Sequence, residues 1–399
     1  MSRTRKNLFV GVLLAAAAVA VTIFAGTTAA RTDAKKPIVI GAAMDFTANM
    51  SPYDTPAFYA AEVRANQINA KGGVLGRKLV IKKCNHQLTK QKECAAKLIG
   101  QGAVVGMVTC DVEYAAPATQ EFINRGILAL APCIGTDQQG PKRFGAKGHL
   151  AFTFGNIAQD EGAAMAEYSK SRGWKTAIVV KDSLLAYFSN VADAFDVRFR
   201  QLGGKVVDRE SFKSFSNTIG PVITKVSRTK ADVICFVTAF TDLPTFVSGI
   251  RNLGDKTPII NSWGGDGNYW WTKSPKVTNY YYVTYGSLYG DDPVRAVNKL
   301  VKQVKQLNGG KLPATGSFIP GADLIDGLVA AIKKTKSTNG AKLANALEHL
   351  RGLRATSGKI RFTATLHGVT HRAYRVMLVN NNKAKFVRLW TTKKDANIG

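Results

Sequence analysis

The chain has 399 residues, enough for two or three domains of ordinary size, and its 45% hydrophobic content allows buried cores. Lys and Arg outnumber Asp and Glu by 55 to 27, which gives a formal net charge of +28. Because the basic residues are spread along the whole chain in runs of at most two, they argue against nucleic-acid binding. Solubility is the simplest explanation of the charge.

Residues 1–30 have the layout of a secretory signal peptide. Arg3, Arg5 and Lys6 form a positive start, an uncharged apolar stretch covers 8–25, and small residues at 28–30 offer a cleavage site. The apolar stretch is close to the length that spans a bilayer, so an uncleaved anchor is the alternative. The sequence therefore predicts an exported protein, in the periplasm or at the extracellular face of the cell envelope.

Beyond Pro37, short apolar runs alternate with longer amphipathic ones. The predicted strands are 38–43, 79–81, 103–108 and 127–131, and the predicted helices between them are 57–69, 88–100 and 115–124. Gly72 and Gly73 end the first helix, since glycine tolerates a positive φ. Strands separated by single helices are typical of βαβ units and predict a parallel, doubly wound sheet.

The pattern then restarts and predicts a second α/β unit of similar size. Its predicted strands are 150–154, 176–180, 205–207, 232–237, 258–260 and 280–284, and its predicted helices are 160–171, 187–201, 216–228 and 243–252. Three further helices (292–306, 321–333 and 340–351) precede extended segments at 359–362, 373–379 and 385–390. No linker is rich in Pro or Ser, so we expect two lobes joined by several short chain crossings.

Export makes disulfides permissible among the five cysteines. Cys84, Cys94, Cys110 and Cys133 lie within fifty residues of one another and allow three pairings. Cys84–Cys94 with Cys110–Cys133 is preferred, because Cys110 and Cys133 end successive strands that should be neighbours in the sheet. Cys84–Cys110 is the main alternative, and a zinc site is disfavoured because no Cys-x-x-Cys spacing occurs. Cys235 lies in an apolar run and is expected to be a buried free thiol.

Three segments carry a family pattern. They are 38–41, the helix end and turn at 68–79, and 126–132, of which Asn-Ala-Lys-Gly-Gly-Val-Leu-Gly at 69–76 is the most specific. Together they resemble the leucine/isoleucine/valine-binding proteins, which are type I periplasmic binding proteins of ABC transporters. The resemblance covers about 37–390, nearly the whole chain beyond the signal peptide.

The resemblance implies two flavodoxin-like lobes with a ligand cleft between them. The three crossings would lie near 151–157, 281–286 and 359–372. The N-terminal lobe would comprise 37–155 plus 284–360, and the C-terminal lobe 156–283 plus 361–399. The partners implied are a small-molecule ligand and an ABC permease in the membrane, with no cofactor and no catalysis.

Ligands of open α/β sheets bind beyond the carboxyl ends of the strands, and the resemblance points to the same loops. In the first lobe, Tyr53 matches a ring that lines the family cleft. Asp111 or Val112 occupies the place where amino-acid binders carry small hydroxyl residues for the ligand carboxylate. Gly135 and Thr136 match a backbone N–H and a hydroxyl that bind ligand, although Thr136 is equally suited to cap a helix from 137 onward.

In the second lobe, Tyr187 and Phe240 match aromatic walls of the family pocket, so they and Tyr53 are expected to face one cleft. Gly264 falls where amino-acid binders place a carboxylate for the ligand ammonium, and Asp266, two positions on, could substitute for it. Trp263 belongs to a crowded aromatic loop that either stacks on a ligand or packs beneath the cleft.

The predicted site departs from that of an aliphatic amino-acid binder. Asp111 and Glu113 would repel an α-carboxylate, and Gly264 offers no partner to an α-ammonium. We therefore expect a small amino-acid-like or other polar or aromatic solute, but not leucine, isoleucine or valine.

Catalytic motifs are absent from the sequence. There is no Gly-x-Ser-x-Gly, no His-Glu-x-x-His and no phosphate-binding Gly-x-x-x-x-Gly-Lys-Ser/Thr. His367 and His371 are expected to be surface histidines rather than a metal pair, and Asp323 and Asp326 to be solvated or capping. The sequence thus predicts a binding protein without metal, with a secreted ligand-sensing module and a secreted α/β enzyme as the alternatives.

Overall fold

The computed structural model describes residues 35–398, and the signal peptide predicted at 1–30 lies outside that range. The strands of the first part are β1 Ile38–Met44, β2 Leu79–Asn85, β3 Val105–Val108, β4 Leu128–Ala131 and β5 Ala151–Thr153. They form one five-stranded parallel sheet in the order β2-β1-β3-β4-β5. This is the flavodoxin-like doubly wound order.

A second sheet has seven strands. The remaining strands are β6 Thr176–Asp182, β7 Lys205–Phe212, β8 Val233–Val237, β9 Ile259–Asn261, β10 Tyr280–Thr284, β11 Leu353–Ala355, β12 Gly358–Ile360, β13 Tyr374–Asn380 and β14 Lys383–Trp390. The second sheet runs β14-β13-β10-β9-β8-β6-β7, with β13 and β14 antiparallel at one edge and the other five strands parallel, while β11 and β12 form a separate hairpin. The prediction of two doubly wound α/β lobes is confirmed.

Helices connect the strands. They are α1 Ser51–Asn69, α2 Gln91–Gly100, α3 Val112–Asn124, α4 Pro141–Phe144, α5 Ala158–Ser171, α6 Ala186–Gln201, α7 Ile219–Arg228, α8 Asp242–Asn252, α9 Arg295–Leu307, α10 Pro320–Thr335 and α11 Gly340–Glu348, with short 3-10 helices at Gly145–Leu150, Trp263–Gly265 and Gly316–Phe318. None of the helices within 35–398 combines the length and the apolar character needed to cross a bilayer.

Hydrophobic spacing explains how the later helices join the first sheet. The buried residues of α9 are Val297, Leu300, Val301 and Val304, which recur at i, i+3, i+4 and i+7 and form one apolar stripe. α9 and α10 both pack against α1, and α11 packs against β4. The chain therefore leaves the first sheet after β5, returns to it after β10, and leaves it again after β12.

Element boundaries differ from the prediction where the pattern is weak. β2 and β7 extend several residues further than expected, and both are edge strands whose residues are largely half-exposed. An edge strand lacks the continuous apolar pattern of a central strand such as β8, which is buried at every position. The predicted turn after α1 is confirmed, since Gly72 and Gly73 have φ of 91° and 75°.

Both disulfides of the preferred pairing are present. Cys84 pairs with Cys94 across Cα atoms 5.5 Å apart, and Cys110 pairs with Cys133 across 4.8 Å. Cys110 and Cys133 follow the neighbouring strands β3 and β4, as expected, and Cys235 is a buried free thiol. The second disulfide therefore joins two loops at the carboxyl edge of the first sheet.

Two residues that the sequence predicts to be exposed are buried, because contacts between distant parts of the chain decide their burial. Asp323 is not solvated: it is fully buried and lies 3.2 Å from Nη1 of Arg372. His367 is not a surface residue, because its ring stacks on Phe152 at a centroid distance of 3.8 Å and its Nε2 lies 3.2 Å from Glu348. His371, by contrast, is half-exposed.

Buried polar residues join the three chain passages between the sheets. The backbone N–H of Asn156 donates to the hydroxyl of Tyr285 at 2.9 Å, and Nδ2 of Asn156 donates to the carbonyl of Arg372 at 3.1 Å. The Arg372 guanidinium lies 4.3 Å above the Tyr285 ring. Next to this cluster, Arg375 donates two hydrogen bonds to the buried Asp292. The passages are thus fixed to one another by charge as well as by packing.

We predict that Asp323→Asn strongly destabilises the protein. The guanidinium of Arg372 cannot lose its charge, so the substitution leaves a buried cation without its partner. Removing one member of such a pair costs roughly 3–5 kcal/mol, measured as the free energy of unfolding in urea. Asp193→Asn is the control, because Asp193 pairs with Lys181 at the surface and should cost about 1 kcal/mol or less. Equal losses in the two variants would contradict the prediction.

Candidate functional site

A small cavity lies between the carboxyl edges of the two sheets. The loops that follow β1, β3, β6, β8 and β9 supply its walls, which consist of Met50, Tyr53, Cys110, Asp111, Leu185, Tyr187, Phe188, Ala239, Phe240, Trp263 and Gly264. Its volume is about 10 Å³, room for about one water molecule. This is the place where open α/β sheets bind ligands, and both sheets contribute to it.

The structure brings five of the nine predicted ligand-binding residues into this lining. They are Tyr53, Asp111, Tyr187, Phe240 and Gly264. The other four predicted residues, Val112, Gly135, Thr136 and Asp266, lie outside it. Met50, Leu185, Phe188 and Ala239 are lining residues that were not predicted to bind ligand, and Trp263, for which stacking on a ligand was one of two alternatives, lines the cavity too.

Tyr187 fills the space in front of Gly135. Its ring stacks on Trp263 with centroids 4.8 Å apart, and the Tyr187 side chain is only 3% exposed. A Cβ on Gly135 would lie 2.4 Å from Cε2 of Tyr187, so any other residue at that position would displace the ring. Gly135 therefore permits the aromatic wall instead of contacting the cavity itself.

Glu161 holds this aromatic wall in place and was not found from the sequence. Its Oε2 accepts a hydrogen bond from the Tyr187 hydroxyl at 2.9 Å, and its Oε1 accepts one from the backbone N–H of Trp263 at 2.8 Å. Burial raises the pKa of Glu161 to about 8, while these two hydrogen bonds oppose the shift. The local sequence gave no signal, because Glu161 follows the common preference for acidic residues in the first turn of a helix.

Tyr53 connects the two sides of the cavity. Its hydroxyl donates to the carbonyl of Gly264 at 2.6 Å and lies 2.9 Å from the hydroxyl of Tyr269. The Tyr53 ring also meets Trp263 edge to face, with centroids 5.5 Å apart. Tyr53 belongs to α1, on the first sheet, whereas the other three follow β9 of the second sheet. These contacts hold the two walls together.

Asp54, next to Tyr53, joins two loops on the side of the cavity that belongs to the first sheet. Its fully buried carboxylate accepts hydrogen bonds from the backbone N–H groups of Asp45 at 2.8 Å and Cys110 at 2.9 Å. The hydroxyl of Thr109 also donates to it. One carboxylate thus links the loop after β1 to the loop after β3 and sets the position of Asp111.

Two carboxylates occupy helix N-termini at the cavity. Asp111 caps α3, where its Oδ1 accepts hydrogen bonds from the N–H groups of Glu113 at 3.0 Å and Tyr114 at 3.2 Å. Oε1 of Glu113 accepts one from the N–H of Ala186, the first residue of α6, at 3.3 Å. Burial and the neighbouring Glu113 raise the pKa of Asp111 well above its usual value, and Oε2 of Glu113 is buried without a hydrogen-bond partner.

Asp266, the predicted substitute for the carboxylate that Gly264 lacks, lies outside the cavity lining. Its Oδ2 accepts hydrogen bonds from the Thr284 hydroxyl at 2.5 Å and from the N–H of Gly316 at 2.6 Å. Burial raises the pKa of this carboxyl to about 7. Oδ2 of Asp266 therefore joins the loop after β9 to the 3-10 helix at Gly316–Phe318, while its Oδ1 is buried without a hydrogen-bond partner.

Val112 and Thr136 contact other parts of the protein and lie outside the cavity lining. Val112 is fully buried in the first turn of α3, and Thr136 accepts a hydrogen bond from the N–H of Gln138 at 3.3 Å. The next helix, α4, begins at Pro141, so the alternative that Thr136 caps a helix from 137 onward is wrong.

One group of side chains within 35–398 has ligand atoms spaced as a metal site requires. Asp160, His371 and Asp395 offer ligand atoms within 4.8 Å of one another. Asp160 is already used, since its oxygens accept hydrogen bonds from the N–H of His371 and from Nδ2 of Asn156. The group lies beside the chain passages and contributes nothing to the cavity lining.

Known proteins share this architecture. Residues 37–384 match the family described as "Periplasmic binding protein". The "Leu/Ile/Val-binding protein homolog 3" of Brucella melitensis is 24% identical over 351 residues, which cover 86% of this chain and 91% of that protein.

Solved structures share the fold over both sheets. The branched-chain amino acid transporter substrate-binding protein LivJ from Streptococcus pneumoniae, in complex with isoleucine, has a TM-score of 0.74 at 18% identity and covers 88% of this chain and 99% of its own. A solute-binding protein of an ABC transporter from R. palustris, in complex with benzoate, has a TM-score of 0.72 at 16% identity and covers 90% and 99%.

We predict that Glu161→Gln weakens the dependence of stability on pH. The folded pKa of Glu161, about 8, lies above its ordinary value of 4.5. Between these pH values the folded protein keeps a proton that the unfolded chain has released, so the free energy of unfolding falls as pH rises. Glutamine removes this contribution. Urea unfolding at several pH values between about 5 and 8 measures the slope.

The exposed Glu93 supplies the control for this prediction, since Glu93→Gln should keep the wild-type slope. Part of the slope should remain in Glu161→Gln, because burial also raises the pKa of Asp54 and of Asp266 to about 7. An unchanged slope in Glu161→Gln would contradict the prediction.

Proposed function

The chain belongs to the periplasmic binding protein family, and we propose that it is the exported substrate-binding protein of an ABC importer. Members of this family bind solutes and catalyse no reaction, so the chain is a solute-binding protein and not an enzyme. The signal-peptide layout at 1–30 supports export. The transporter systems named for its relatives support a membrane permease as the partner that receives the solute.

We place the solute between two lobes that close on it. The N-terminal lobe comprises 37–155 plus 284–360, and the C-terminal lobe comprises 156–283 plus 361–399. The observation that carries this proposal is the cavity lined from both sheets. Tyr53 and Asp111 belong to the first lobe, and Tyr187, Phe240 and Gly264 to the second.

Closure follows from the size of the cavity. With room for about one water molecule, it takes a larger solute only after Tyr187 moves or the lobes separate. The three passages between the sheets are the natural hinges, since hinge closure bends a few residues between rigid units. Contacts such as Tyr53 with Gly264 then form again around the solute.

A solute screen tests the function. We expect at least one small solute among amino acids, amines, aromatic acids, amides and sugars to raise the melting temperature and to bind in calorimetry. Leucine, isoleucine and valine should not bind at micromolar concentration, because an unpaired ligand charge buried in the cleft costs several kcal/mol. A screen in which nothing binds would contradict the proposed function. Micromolar leucine binding would contradict the proposed site chemistry.

Tyr53→Phe tests lobe closure. The substitution removes the hydroxyl that donates to Gly264 and contacts Tyr269, so it should weaken the closed form by about 1 kcal/mol. We expect faster amide hydrogen exchange at 263–269 and a larger radius of gyration in small-angle scattering. Tyr59→Phe is the matched control, because Tyr59 lies on the same helix but does not line the cavity. Identical behaviour of the two variants would contradict a closing role for Tyr53.

A further inference from the structure

The cavity has an acidic side chain in its wall and no basic one. Asp111 carries the only carboxyl group among the lining residues, and none of the residues that line this cavity is Lys, Arg or His. Glu113 lies next to Asp111 at the start of α3, and its Oε2 is buried without a hydrogen-bond partner. Burial and the charge of Glu113 raise the pKa of Asp111, so a second negative charge at this pair is disfavoured unless a cation compensates it.

Two helix N-termini that could bind an anionic ligand already hold carboxylates of the protein. Helix N-termini bind anions through their free N–H groups and the helix dipole. At α3 these N–H groups donate to Asp111, and at α6 the N–H of Ala186 donates to Glu113. The protein's own carboxylates thus occupy two of the helix ends at this cavity, at α3 and α6, whereas the third, at α1, has the lining residue Met50 as its N-cap and no side-chain cap.

The opposite wall is aromatic. Tyr187, Phe188, Phe240 and Trp263 all follow strands of the second sheet and line the cavity. Tyr187 and Trp263 stack at 4.8 Å, and Phe188 meets Phe240 edge to face at 6.0 Å. The faces of such rings attract a cation, and a desolvated site strengthens the attraction.

We propose that the solute is a small organic cation, an ammonium group on an apolar body. Its charge lies beside Asp111 and Glu113 of one lobe, and its body lies against Tyr187, Phe240 and Trp263 of the other. This inference rests on the proposed function, since it assigns the ligand class of the same cleft. Lobe closure brings the aromatic wall onto a cation already held by the carboxylates, so only a cation satisfies both walls.

Two matched series of probes test the ligand class. The aromatic series is phenethylammonium, 2-phenylethanol and phenylacetate, and the aliphatic series is isopentylammonium, isopentanol and isovalerate. Within a series the number of carbon atoms is constant, and the head group changes from a cationic ammonium to a neutral hydroxyl to an anionic carboxylate. We expect at least one ammonium probe to bind in calorimetry, and to bind at least about tenfold tighter than its neutral and anionic partners.

Asp111→Asn removes the charge of the side chain and keeps its role as the N-cap of α3. Asparagine caps a helix as well as aspartate, so α3 keeps its N-terminus and the melting temperature should not fall. Affinity for the ammonium probe should drop at least about tenfold, because a buried charge loses its counter-charge. Glu113→Gln should weaken binding in the same direction. Glu121→Gln, which alters the same helix away from the cavity, should leave the affinity unchanged.

The possible failures are distinguishable. If the binders from the solute screen are all neutral or anionic, the cationic ligand class is overturned while the solute-binding function stands. Ammonium binding that is unchanged in both Asp111→Asn and Glu113→Gln would overturn it as well. If no solute of any class binds, the proposed function fails first.

Discussion

The buried guanidinium of Arg372 is the interaction on which the arrangement of the two sheets depends. It pairs with Asp323 of α10 and lies over the ring of Tyr285, while the Arg372 carbonyl accepts a hydrogen bond from Asn156. Asn156, Tyr285 and Arg372 belong to the three different passages of the chain between the sheets. A buried charge tolerates little displacement from its partners, so this cluster fixes how the passages lie relative to one another. In the proposed closure the two walls of the cavity approach each other by bending at these same three passages.

At the cavity itself, carboxylates organise the walls. Asp54 joins two loops of the first sheet, and Glu161 holds Tyr187 and Trp263 of the second. Asp111 and Glu113 occupy the ends of α3 and α6. The first two are satisfied by several hydrogen bonds each and are structural. Glu113 lies outside the cavity lining, but its Oε2 is buried beside Asp111 without a hydrogen-bond partner, so this pair is less fully satisfied than Asp54 or Glu161.

Local patterns in the sequence predict what local forces decide. Alternating strands and helices gave both lobes, the glycines after α1 gave its turn, and successive strand ends gave the pairing of Cys110 with Cys133. The edge strands β2 and β7 were predicted too short, because edge positions lack a continuous apolar pattern. The surroundings of Asp266 and the role of Glu161 were not predicted for a different reason. Their partners, Gly316 and Trp263, lie 50 and 102 residues away, so nothing nearby in the sequence distinguishes a structural carboxylate from a ligand contact.

Net charge and site charge are separate quantities in this protein. The chain has a formal net charge of +28. The residues that line its cavity nevertheless include the carboxyl group of Asp111 and no Lys, Arg or His. Surface charges are screened over about 8 Å at physiological ionic strength, so the distributed lysines and arginines act weakly inside a closed cleft. A carboxylate within the cleft acts at contact distance and in a medium of lower polarity, where the same charge counts for more. In the proposed site the residues of the cleft therefore decide which ligand binds, whereas the overall charge of the chain bears on solubility.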